Sequence, residues 1–77
     1  MLDATLITDG PVREYLLQGT LKNRQRQHYR FSIVLNSDQL TELQKLDLTD
    51  SNLKEWASRH NLRCTLPQLY DIANCAR

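Results

Sequence analysis

The chain has little of what marks flexible or cofactor-cradling proteins: two glycines, two prolines and two cysteines in 77 residues. Scarce glycine and proline exclude a low-complexity linker or a disordered tail, and no internal repeat is present. No glycine-rich phosphate loop can be assembled from Gly10 and Gly19. No apolar run exceeds three residues, as in Ile33-Val34-Leu35, so no stretch matches the ~20 apolar residues of a membrane-spanning helix. Met1 to Thr5 lacks the basic start and apolar block of an export signal. With only Cys64 and Cys75, there is no Cys-x-x-Cys pair and no disulfide framework. These absences point to a cytoplasmic chain with free thiols, no membrane contact, no cofactor and no metal.

What is present is an ordinary globular balance, 40% hydrophobic and 25% charged, in a length that suits one small domain. So short a chain has a modest core, and without a disulfide or metal a partner subunit becomes the natural additional source of stability.

Asp9-Gly10-Pro11 marks a turn between two β-prone runs, Ala4–Ile7 and Val12–Leu21. In the second, Tyr15, Leu17 and Leu21 take one side, and Leu16 falls on the other. The clearest strand is Tyr29–Leu35, with Tyr29, Phe31, Ile33 and Leu35 alternating against Arg30 and Ser32. The polar stretch between these strands predicts a hairpin turn, with Asn23 suited to positive φ. Leu16 and Val34 would both lie on the side away from the apolar row, leaving that face partly apolar and open to a second subunit or partner.

From Asn36 the period changes. Asn36 and Gln39 stand at capping-box separation, and Leu40, Leu43 and Leu46 follow on one helical face. Leu48 to Ser51 interrupts this helix. A second carries Leu53, Trp56, Ala57 and His60, closed by Asn61 as a left-handed cap. A third begins at the capping box Thr65-Leu66-Pro67-Gln68 and continues through Leu69, Ile72 and Ala73. The expected architecture is α+β: an N-terminal antiparallel β-hairpin or three-stranded meander, then two or three α-helices packed on one face. It occupies residues 1–77 as a single domain, β-rich over 1–36 and helical over 37–77.

The net charge of +1 is an average of unlike parts. Residues 22–30 hold Lys22, Arg24, Arg26 and Arg30 with no acid, so this segment carries +4 and the rest −3. If the arms extend through it, the alternation Lys22, Arg24, Arg26, His28 aligns the cations on one side. Such a row complements phosphates, Gln25 and Gln27 could bond bases or sugars, and Tyr29 could stack. It equally suits an acidic protein, or edge protection alone.

The span 53–72 can be laid against a helix-turn-helix, with Asn61 in the turn. Pro67 and Asp71 speak against a DNA-reading second helix, whose span lacks Lys and Arg, so a plain helical hairpin is the simpler expectation. His28, His60, Cys64 and Cys75 include metal-ligand types at spacings that match no compact site. His60 and Cys64 form no nucleophilic pair for which an orienting third group can be named.

The expectation is a non-enzymatic module that binds a macromolecule, foremost a protein, through its basic hairpin, or self-associates. Its contacts are Lys22, Arg24, Arg26, Tyr29 and Arg30. The alternative is DNA or RNA binding through the same hairpin or the C-terminal helices. A third reading is a small inhibitor or accessory subunit of a larger complex.

Overall fold

The computed structural model describes residues 1–76. Three strands, β1 (Leu2–Asp9), β2 (Arg13–Lys22) and β3 (His28–Asn36), are followed by α1 (Ser37–Lys45), α2 (Asp50–Arg59) and α3 (Leu66–Ala76). The sheet is an antiparallel meander in the order β1-β2-β3. The α+β architecture is therefore realised in its three-stranded, three-helix form. The change from strand to helix falls at Asn36/Ser37, where the hydrophobic period changes.

The alternation of β2 and β3 decides which side is covered. Tyr15 pairs with Leu35, Leu17 with Ile33, and Leu21 with Tyr29, so large side chains from both strands meet on one face. Leu17, Leu21 and Leu35 are buried, and Tyr15, Tyr29, Phe31 and Ile33 pack partly buried against them. The helices close this face with Leu43 from α1, Leu53, Trp56 and Ala57 from α2, and Leu69, Ile72 and Ala73 from α3. The helices α1 and α3 lie against the sheet, and α2 packs on α3.

Both predicted capping boxes close. The Asn36 side chain accepts from the Gln39 N–H at 2.8 Å, and the Gln39 side chain accepts from the Asn36 N–H at 2.9 Å. At α3 the Gln68 side chain accepts from the Thr65 N–H at 2.9 Å, and Thr65 Oγ1 accepts from the Gln68 N–H at 3.5 Å. Pro67 then lies in the first turn of α3, where a missing N–H removes no helical bond. At the end of α2 Asn61 takes φ 56°, with Leu62 N–H donating to Ala57 O at 2.9 Å and Asn61 N–H to Ser58 O at 3.2 Å. This pair of bonds is the Schellman closure.

Neither glycine has positive φ. Gly19 serves close approach instead: a Cβ there would fall on the Met1 carbonyl and crowd the Leu2 backbone, so β1 could not pair with β2 as it does. No helix among the described residues is long and apolar enough to cross a membrane.

Candidate functional site

The β2–β3 connection is the loop Asn23–Gln27, built around one side chain. Asn23 Oδ1 accepts from the N–H groups of Gln25 and Gln27, each at 2.9 Å, and Asn23 Nδ2 donates to Gln27 Oε1 at 3.3 Å. The backbone adds Asn23 N–H to Gln27 O and Arg26 N–H to Asn23 O, both at 3.0 Å. The left-handed residue is Arg26, with φ 62°, and not Asn23 as its residue type suggests. Asn23 closes the loop through its side chain, which moves the positive-φ position three residues on, as in three-residue hairpin loops. Glycine is usual there, and a side chain in this conformation costs about 1–2 kcal/mol.

This geometry breaks the expected row of cations. Lys22 and His28 are register partners on the last rung of the ladder. Arg24 and Arg26 lie beyond it, where the strand pleat no longer sets their direction. Arg30 is opposite Thr20, on the face away from the helices. Tyr29 is on the helix-facing side, where Gln68 Nε2 of α3 donates to its hydroxyl at 3.1 Å. The five predicted contact residues thus divide. Lys22, Arg24 and Tyr29 gather around a cleft with Asn23, Leu66 and Pro67, Arg30 lines a shallow groove with Asp3, Gln18 and Ser32, and Arg26 lines neither.

All four cations are exposed, and none forms an ion pair among the described residues. Other cations are paired. Arg13 Nε donates to Asp9 Oδ1 at 3.1 Å, while Arg59 and His60 both meet Glu42, His60 Nε2 at 2.9 Å from Glu42 Oε2. The bond to His60, with the Arg59 charge beside it, holds the Glu42 carboxyl below its ordinary range even though partial burial opposes this.

On the open face Leu16 is opposite Val34, the predicted exposed apolar pair. Val34 keeps 46% of its surface exposed. The same face carries Lys22, His28 and Arg30 toward the hairpin end, and Glu14 toward the other.

Other chemistry named from the sequence is dispersed. Burial pushes the Cys64 and Cys75 thiols up, with nearby Asp3 adding to the effect at Cys75, so thiolate formation is disfavoured. The His60 ring meets Glu42 and the edge of Trp56, at 5.4 Å between centroids. Among the described residues no three His, Cys, Asp or Glu side chains gather to hold a metal ion. The connection between α2 and α3 spans residues 60–65, longer than the 3–4-residue turn of a helix-turn-helix.

The wall formed by Leu66, Pro67 and Gln68 was missed from the sequence. Its T-x-x-Q signal is legible as a helix start, but nothing in 39 residues of separation links Gln68 to Tyr29. No protein-family model, no characterised protein and no solved structure matches this chain.

Proposed function

We propose that this chain is a non-enzymatic interaction module whose basic β2–β3 hairpin binds an acidic protein partner. The observation that carries the reading is the set of four exposed cations, Lys22, Arg24, Arg26 and Arg30, which form no ion pair among the described residues, around a loop held in shape by Asn23. Arg26 supports it further, because a non-glycine residue in left-handed backbone is a sacrifice of stability that function can explain. Leu16 and Val34 extend the surface with apolar area suited to a protein contact. Two free thiols agree with a cytoplasmic setting.

The test places a photo-crosslinking residue at Gln25 on the hairpin tip, and separately at Lys54 on the exposed side of α2. A discrete protein adduct is expected from position 25 only, and it disappears in the Arg24→Ala/Arg26→Ala double variant. Binding to mixed-sequence DNA or RNA that falls steeply between about 50 and 200 mM salt, with a shallower slope in the double variant, would replace this reading with nucleic-acid recognition.

A further inference from the structure

We infer that the cleft between the hairpin tip and the start of α3 is the seat of that partner: it takes an extended acidic peptide segment with an apolar residue beside its carboxylates. The inference rests on the interaction-module reading and adds the location and the ligand chemistry. The cleft has a volume of about 690 Å³ and is lined by Lys22, Asn23, Arg24, Gln25 and Tyr29 on one side and Thr65, Leu66, Pro67 and Gln68 on the other. That size lies within the ~300–1,000 Å³ typical of ligand pockets.

Its charge is one-signed, with two cations and no acid in the lining. Its polar groups include an uncommitted donor. Tyr29 Oη accepts from Gln68 Nε2, which leaves its own O–H proton to give, and a carboxylate can only accept. Leu66 and Pro67 form an apolar wall next to these donors, which suits an aliphatic side chain adjacent to the acid.

Two features favour a carboxylate-bearing peptide over a phosphate. Phosphate sites are commonly nests of backbone N–H groups. Here the N–H groups of Asn23, Gln25, Arg26 and Gln27 are all engaged within the loop itself. At the start of α3, Thr65 Oγ1 takes the Gln68 N–H, Thr65 O takes the Leu69 N–H and Pro67 has none, so the Leu66 N–H by itself makes no nest. With no nest of backbone N–H groups, the anion is held chiefly by the Arg24 side chain and the Tyr29 hydroxyl.

The experiment is a ¹⁵N NMR titration of the full chain with an end-blocked peptide of alternating Glu and Leu, with its Gln/Leu counterpart, and with a mixed-sequence RNA oligonucleotide. The Glu/Leu peptide is expected to shift Asn23–Gln25, Tyr29 and Leu66–Gln68. Arg24→Ala should weaken it about tenfold, the equivalent of one charge-assisted bond, and Lys54→Ala, on the exposed side of α2 and outside both the cleft and the hairpin, should leave it unchanged. Equal binding of the Gln/Leu peptide, or no response to the Glu/Leu peptide, overturns the inference. Shifts confined to the open face around Arg30 and Val34 overturn the cleft while leaving the module reading intact. RNA binding at the hairpin with no peptide response overturns both.

Discussion

At the end of α2, Arg59 and His60 converge on one carboxylate, Glu42 of α1. At the tip of the β2–β3 hairpin, Lys22, Arg24, Arg26 and Arg30 meet none among the described residues. The same side-chain chemistry does different things in the two regions. In the helical layer it ties α1 to α2 across 18 residues of sequence. In the hairpin the ordering is done by an uncharged residue, Asn23, so the cations take no part in holding the loop closed. A loop that is shaped without its charges can present them elsewhere.

The comparison can be broken most severely beneath both regions. Trp56 is fully buried at the centre of the core, and Trp56→Ala should cost ~3–5 kcal/mol, read as a lowered denaturation midpoint or outright loss of folding. Its indole N–H has no hydrogen-bond partner among the described residues, so Trp56→Phe should be far milder than truncation. A Phe variant as damaging as the Ala variant would show a hidden partner for that N–H.

A smaller effect tests the hairpin alone. Asn23→Ala removes the acceptor for two backbone N–H groups and should lower stability by about 1–2 kcal/mol. It should also weaken partner binding without removing any charge. If binding is unaffected, the cations act without the loop's shape.

Arg26→Gly should act in opposite directions on the two properties. Glycine adopts positive φ freely, so chemical denaturation should report a gain of about 0.5–1 kcal/mol. Crosslinking to the partner should fall with the lost charge. Unchanged binding would assign the strain at Arg26 to no function.

The smallest expected effect belongs to the helical cluster. The native Glu42 carboxyl is held below its ordinary value of 4.5 by His60 and Arg59. A depressed carboxyl contributes stability that is complete above that value and is lost as pH falls through the native one. Thermal midpoints measured on acidification should therefore drop less in Glu42→Gln than in the unaltered chain. Equal acid sensitivity would mean that the Arg59 and His60 contacts contribute nothing to stability. Their exposed setting already makes the effect small.

Much of the fold was legible because its signals are local. A period of two over Tyr29–Leu35 and three helical faces after Asn36 reflect side-chain directions that the backbone alone sets. The capping boxes at Asn36 and Thr65 and the left-handed Asn61 were equally legible, since each is closed by groups within a few residues. The loop was misread for a physical reason. Asn23 tolerates positive φ, but its side chain can also bind backbone N–H groups, and only the closed hairpin selects between these uses.

The candidate site divides along the same line. Sequence alone determined the concentration of cations in residues 22–30, the strands and helices that carry them, and the apolar character of Leu16 and Val34. It could not determine that Arg24 and Tyr29 share a cleft with Leu66 and Pro67 while Arg30 lies across the sheet. That outcome depends on where α3 settles on the sheet, through Leu69 and Ile72 in the core and Gln68 against Tyr29. Packing between distant segments is decided by shape and burial summed over the whole chain, and no short-range spacing records it.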